Sequence, residues 1–134
     1  MQERKSKCFL TATANDIDRL PPEFLRKGRF DEIFFVDLPD QEIRMSLFII
    51  HLRKRGLNPE KFDYKLLAGQ AADFSGAEIE QAIISALYRA SSQKEPVSTH
   101  HIFEQIRLTK PLALLKQEEI TSLREWAKER TVPA

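Results

Sequence analysis

The pattern that most constrains the fold is a capped amphipathic helix in the second half of the chain. Ser75 and Glu78 stand three positions apart, which is the spacing of a capping box at a helix N-terminus. Apolar residues then recur every three or four positions, which predicts one continuous apolar face. They are Ile79, Ala82, Ile83, Ala86, Leu87 and Ala90. Such a face must be buried against other elements, so the pattern predicts a helical domain with one core.

A second long helix is predicted before this one. Asp40 is a candidate N-cap, and the helix runs to about Arg55 and ends at Gly56. Its buried stripe is predicted to consist of Ile43, Leu47 and Ile50.

Shorter helices complete the helical part. Asp63 can cap a helix from Tyr64 to Ala72, and Ser98 begins a helix that Pro111 ends. The apolar residues of the latter are Ile102, Phe103 and Ile106. A separate C-terminal helix is predicted from Lys116 to Arg130, with Ile120, Leu123, Trp126 and Ala127 on one side.

Two short strands are predicted ahead of the helices. The segments from Lys7 to Ala14 and from Ile33 to Leu38 are apolar enough for buried strands. Between them, Pro21-Pro22 opens a short helix that Gly28 ends. The predicted fold class is therefore mostly α: two strands, a four-helix block and a C-terminal helix.

Charge, hydropathy and cysteine content limit the classes of binding partner and the cellular compartment that can be expected. The chain has 21 Lys and Arg residues against 20 Asp and Glu, so no global field would gather nucleic acid or an anionic membrane. No stretch approaches the roughly 20 apolar residues of a membrane span. The single Cys8 cannot form an internal disulfide, which favours a reducing compartment and a role as a small buried apolar residue. Neither nucleic acid nor a membrane is expected as a partner.

Two motifs in the first third resemble a known family. The residues Ala12-Thr13-Ala14-Asn15-Asp16 precede Phe24-Leu25-Arg26-Lys27-Gly28-Arg29-Phe30-Asp31-Glu32, and four helices follow with Ser-Gly-Ala-Glu at the start of the third. This order resembles the end of the large subdomain of AAA+ ATPases, of the classical AAA clade, followed by the small helical lid. The end of the chain, with Ile120-Thr121-Ser122-Leu123-Arg124-Glu125-Trp126-Ala127, is similar to that of the uncharacterised AAA+ ATPases encoded in cyanobacterial and plastid genomes.

The resemblance implies three segments. Residues 1–39 correspond to the end of the P-loop α/β subdomain, 40–110 to the lid, and 111–134 to a C-terminal helical extension. In the family's sheet the phosphate-loop strand lies between the two predicted strands, and this chain lacks it. We therefore expect residues 1–39 to be disordered, rearranged or paired with another copy, while the lid stays folded.

The resemblance also assigns candidate catalytic residues. Asn15 corresponds to the residue that places the attacking water, and Arg26 and Arg29 to fingers that reach the γ-phosphate held by a neighbouring subunit. The two arginines are predicted to lie one helical turn apart and to project together. As alternatives, Asn15 suits a turn, and the arginines could form surface ion pairs with Glu23, Asp31 or Glu32.

In the lid, Leu47 and His51 correspond to residues near the adenine or ribose. Gly76 and Ala77 correspond to residues whose backbone approaches the nucleotide. His51 alone is equally consistent with an ordinary surface or interface histidine. Where many AAA+ proteins carry a lid arginine, this chain has Ala77-Glu78, so no γ-phosphate contact is expected from its own lid.

The sequence contains no G-x-x-x-x-G-K-[ST] loop and no apolar strand that ends in Asp-Glu. ATP and Mg²⁺ are therefore expected in a longer parent protein, and the chain alone is predicted to be inactive and to bind neither tightly. The start at Met1, just before the first strand, is expected of a truncation or a late start codon.

The resemblance predicts neighbouring AAA+ subunits as partners, in a homo-oligomer that is a hexamer in the family, together with a protein substrate that is remodelled. The expected location is the cytoplasm, or the plastid stroma for a plastid-encoded protein. The alternative is a non-catalytic helical interaction module that buries the helix from Ile79 to Ala90 and the Trp126 helix against a partner.

Overall fold

The computed structural model describes residues 9–14, 16, 19–26 and 28–134, and within them the fold is mostly helical. The α-helices are α1 (Gln41–Lys54), α2 (Tyr64–Gln70), α3 (Gly76–Ser92), α4 (Thr99–Leu108), α5 (Leu112–Leu115) and α6 (Gln117–Lys128). The strands are β1 (Phe34–Phe35) and β2 (Val132–Pro133), and 3₁₀ helices span Pro22–Leu25 and Pro59–Lys61. The predicted fold class is confirmed. No helix among the described residues is both long enough and apolar enough to cross a bilayer.

Side chains cap the helices at the predicted residues. Asp40 accepts a hydrogen bond from the N–H of Ile43 at 2.8 Å, and Asp63 accepts one from the N–H of Leu66 at 3.0 Å. Oε2 of Glu78 accepts from the N–H of Ser75 at 2.8 Å, while the Ser75 hydroxyl accepts from the Glu78 N–H at 3.4 Å. The capping box therefore forms, and α3 begins where the sequence predicts.

Gly56 ends α1, as predicted. Its φ of 74° lies in the left-handed region, which a residue without a Cβ adopts at little cost. The Gly56 N–H donates to the carbonyl of Arg53 at 2.9 Å, and the Leu57 N–H donates to that of Leu52 at 3.0 Å. These two bonds satisfy carbonyls that the end of a helix leaves free.

The core lies among α1 to α4. Its largest fully buried side chains are Phe48, Leu52, Leu67, Phe74, Ile79, Ile83 and Ile102. The predicted face of α3 is confirmed, because Ile79, Ala82, Ile83, Ala86 and Ala90 are all buried.

The predicted buried stripe of α1 is wrong. Ile43 and Ile50 are 52% and 56% exposed, and Leu47 is partly buried. The helix instead buries Phe48 and Leu52 against α2 and α3. The sequence of α1 carries two overlapping apolar stripes, and the one with the aromatic ring removes more apolar surface from water.

The two predicted strands differ from those observed. Residues 9–14, the described part of the segment from Lys7 to Ala14, form no strand, and Phe9 is exposed. Of the second segment only β1 is extended in a ladder. It pairs in parallel with β2, and the N–H groups of Val132 and Ala134 donate to the carbonyls of Ile33 and Phe35 at 2.9 and 3.2 Å. A strand needs a neighbour for its backbone groups, and β1 finds one at the C-terminal end of the chain.

Candidate functional site

Two helices bring the predicted lid residues together. Leu47 lies on α1 and Gly76 is the first residue of α3. A Cβ placed on Gly76 would stand 3.6 Å from one methyl carbon of Leu47 and 3.7 Å from the other. The glycine therefore places its backbone next to the apolar side chain of Leu47. Ala77, the next residue, is exposed.

His51 extends this group by one turn of α1. Its side chain is 14% exposed, and Nδ1 is buried without a hydrogen-bond partner in the described part of the chain. Oε1 of Glu80 lies 3.6 Å from Nδ1, which is beyond hydrogen-bond distance. Glu80 stands four positions after Gly76 and therefore on the same face of α3.

Glu80 is a member of this group that the sequence analysis missed. Its Oε1 accepts from Nη2 of Arg55 at 2.9 Å and from Nζ of Lys54 at 3.5 Å. Partial desolvation raises the pKa of Glu80, but the neighbouring side chains of Lys54, His51 and Arg55 outweigh this and hold the pKa below its ordinary value of 4.5. The spacing from Gly76 and the basic end of α1 were the signals that could have identified it.

The arginine segment differs from its prediction. The 3₁₀ helix ends at Leu25, and Arg26 is extended with φ −74° and ψ 136°. The Arg29 N–H donates to the Arg26 carbonyl at 3.3 Å, with Gly28 between them at φ 92°. Arg26 and Arg29 therefore lie on a tight turn rather than on successive turns of one helix. The short helix stops because the glycine favours a reversal of the backbone.

Both arginine side chains point into solvent. Arg26 and Arg29 are exposed, and neither guanidinium forms an ion pair or a hydrogen bond within the described ranges. The ion pairs considered as an alternative, with Glu23, Asp31 or Glu32, are absent from these residues. Asn15 lies outside the described residues.

Neither Glu78 nor any cluster of metal-binding side chains adds a free ligand group to this site in the described part of the chain. Both oxygens of Glu78 are occupied, Oε2 by Ser75 and Oε1 by the N–H of Leu112 at 2.7 Å. Burial raises the pKa of Glu78, but the hydrogen bonds from Leu112 and Ser75 outweigh it and leave that pKa below 4.5. Within the described ranges no cluster of three or more His, Cys, Asp or Glu side chains is arranged to hold a metal ion.

No protein-family model matches the chain. Over 128 residues, 95% of its length, it is 44% identical to the AAA domain-containing protein ycf46 of Guillardia theta and 48% identical to the protein of that name in Pyropia yezoensis. Over 87 residues, 65% of its length, it is 40% identical to the ATP-dependent zinc metalloprotease FtsH of Chlorobium luteolum. The chain spans 25%, 26% and 12% of these three proteins, respectively.

Proposed function

Because the chain belongs to the AAA+ ATPases and corresponds to their C-terminal region, we propose that it supplies the lid and the trans-acting arginines of an ATP-hydrolysing oligomer. The parent protein is the longer AAA+ protein that contains this region. The observation that carries the proposal is that the candidate residues form two separate groups. Leu47, His51 and Gly76 gather on one side of the lid, while Arg26 and Arg29 stand free in solvent.

The lid group suits the base and sugar of a nucleotide. Leu47 offers an apolar surface to the adenine, and the absence of a side chain on Gly76 permits a ligand to approach the backbone of Gly76 and Ala77 closely. His51 contributes a buried ring nitrogen without a protein partner, which a ligand could satisfy. These contacts involve no phosphate group.

The arginines suit a phosphate held by another subunit. A guanidinium is permanently charged and offers several N–H donors in one plane, which matches the oxygens of a phosphoryl group in its transition state. Arg26 and Arg29 need not break an existing ion pair to reach it, because none is formed within the described residues. Asn15 would place the attacking water in the chain's own site.

ATP and Mg²⁺ belong to the parent protein, because the phosphate loop and the magnesium-binding carboxylates are not part of this sequence. The neighbours are further subunits of the same protein, in a hexamer by family resemblance, and hydrolysis drives remodelling of a protein substrate. The stroma of a plastid, or the cytoplasm, is the proposed location.

One of the two surfaces that a non-catalytic interaction module would need is not accessible to a partner. It required the face from Ile79 to Ala90 to dock on a partner, and that face is buried in the domain's own core. A partner could reach it only by unfolding the helical domain.

The proposal is tested by mixing two inactive variants of the parent protein. Arg26→Ala removes the finger, and the second variant lacks only its phosphate-loop lysine. We expect Arg26→Ala alone to lose roughly three or more orders of magnitude in turnover and to retain ATP binding. An excess of the loop variant, which still carries Arg26, should restore turnover in mixed oligomers.

Arg53→Ala is the matched control, since Arg53 is an exposed arginine at the end of α1, and it should leave turnover unchanged. Normal turnover by Arg26→Ala alone would refute the finger. Mixed oligomers without restored turnover would refute its action in trans. The isolated 134-residue chain should release no phosphate from ATP, and turnover by the pure chain would contradict the whole assignment.

A further inference from the structure

The C-terminal segment 111–134 contacts both sides of a joint in the chain. The joint is the connection Leu38-Pro39-Asp40, between β1 and the first helix of the lid. On the lid side, the Leu112 N–H donates to Glu78 at 2.7 Å. On the other side, β2 pairs with β1. The segment therefore spans the joint from one end to the other.

An ion pair fixes the middle of the span. Nε of Arg124 donates to Oδ1 and Oδ2 of Asp37 at 3.0 and 2.8 Å, and Nη2 donates to Oδ1 at 2.8 Å. Two parallel contacts of this kind define an orientation as well as a distance. The hydrogen bonds that Arg124 donates to Asp37, with smaller contributions from the negative charges of Asp37 and then Asp73, raise the pKa of Arg124. Asp73 belongs to the loop just before α3, so a charge on the lid side of the joint also acts on this guanidinium.

Arg44 supports the same joint from within the lid. Its Nη1 donates to the carbonyl of Pro39 at 2.7 Å, and its Nε donates to the carbonyl of Ala68 at 2.9 Å. This ties the connection to the end of α2. The contacts of Arg44 hold the connection itself. The angle between β1 and the lid therefore depends on contacts farther along β1.

The contacts that segment 111–134 makes across the joint include separate hydrogen bonds and an ion pair. A cleft of about 890 Å³, open to solvent, lies between the start of α3 and α6, and Ser75, Glu78, Leu123 and Trp126 are among the residues that line it. A packed interface contains few voids even the size of a water molecule. Ala113 and Ala127 are buried, but between them the cleft interrupts the packing, so the segment is held at separate points rather than by continuous apolar packing.

The geometry points to segment 111–134 as a brace across the joint, with Arg124 as a positioning residue that sets the orientation of the lid relative to the arginine-bearing segment through Asp37. The roles of the lid and of the arginines rest on the proposed function, whereas the brace between them rests only on the contacts described above. The start of α3 at Gly76, which is proposed to face the nucleotide of this chain, would then be linked to Arg26 and Arg29, which are proposed to serve the nucleotide of the neighbouring subunit.

The test uses the 134-residue chain and needs no nucleotide. Cys8→Ser removes the native thiol, and cysteines replacing the exposed residues Glu32 and Arg89 carry spin labels on the two sides of the joint. We expect one narrow distance distribution, which Arg124→Gln broadens. The amides of Val132 and Ala134 should then exchange roughly two- to fivefold faster, the scale of an exposed ion pair.

Lys128→Gln is the matched control, because it removes a cation from the exposed end of the same helix, and it should change neither readout. The exchanged pair Asp37→Arg with Arg124→Asp should restore the narrow distribution. An unchanged distribution in Arg124→Gln, or equal broadening in Lys128→Gln, would overturn the brace. A parent protein without ATP turnover would refute the proposed function and leave these readouts intact.

Discussion

The backbone N–H of Leu112 donates a hydrogen bond to the side chain of Glu78 at 2.7 Å, although 34 positions separate them. The same carboxylate receives the N–H and the hydroxyl of Ser75 on its other oxygen. One side chain therefore holds both the first turn of α3 and the start of the C-terminal segment.

Replacing Glu78 with Ala should lower the free energy of unfolding by about 1–2 kcal/mol, because a helix loses its capping box and the Leu112 N–H loses its acceptor. Urea unfolding followed by circular dichroism measures this change. Glu125→Ala, at an exposed position of α6, should have little effect. Ser75→Ala combined with Glu78→Ala should cost less than the sum of the two, and strict additivity would contradict the shared cap.

Arg124 should control the titration of Asp37. The hydrogen bonds from Arg124 hold the pKa of Asp37 below its ordinary value of 3.8. A folded-state pKa lowered in this way stabilises the fold above pH 3.8, and the stabilisation is lost as the pH falls through the folded value. Carbon NMR of the carboxyl group should show the low pKa in the native chain and a rise toward 3.8 in Arg124→Gln. Lys128→Gln should not move it, and an equal rise there would refute the assignment.

The face that α1 buries is tested by two substitutions on that helix. Leu52 is fully buried, so Leu52→Ala should destabilise the chain by about 2–5 kcal/mol. Ile50 is 56% exposed, so Ile50→Ala should cost less than about 1 kcal/mol. Thermal or urea unfolding compares the two variants directly. A larger loss of stability in Ile50→Ala than in Leu52→Ala would instead support the buried stripe that was predicted from the sequence.

Gly76→Ala should separate folding from nucleotide binding. The added Cβ would meet Leu47 at 3.6 Å, an ordinary van der Waals contact, so stability should stay the same or rise by up to about 1 kcal/mol. In the parent protein the same methyl group would stand where the nucleotide approaches, and the Kd for ATP should rise. Calorimetric titration measures this, and an unchanged Kd in a stable variant would remove Gly76 from the site.

The helical domain was predictable because its signals are local. Asp40, Asp63 and Ser75 cap their helices within three residues of each cap, and the face of α3 repeats with helical spacing. The buried face of α1 was not predictable in this way, because two apolar stripes overlap and only packing against α2 and α3 decides between them.

The remaining features depend on contacts between distant parts of the chain. The strand β2 has two residues, too few for any periodic pattern, and its pairing with β1 has no sequence signal. Arg124 is one charged residue on an exposed face, and its partner Asp37 lies 87 positions away. For the candidate site, family resemblance predicted Leu47, His51, Gly76 and Ala77, but it did not predict Glu80. It also placed Arg26 and Arg29 on a helix, although Gly28 turns the chain there.

The pairing of β1 with β2 also bears on the order of folding. Most contacts of the core join helices that are close in sequence, and such contacts form on microsecond to millisecond timescales because little loop entropy is lost. The helices from α1 to α6 all lie between the two strands in the sequence, and closing so long a loop is entropically costly until these helices have compacted. The helices should therefore collapse first, and β1 and β2 should pair in the last kinetic phase.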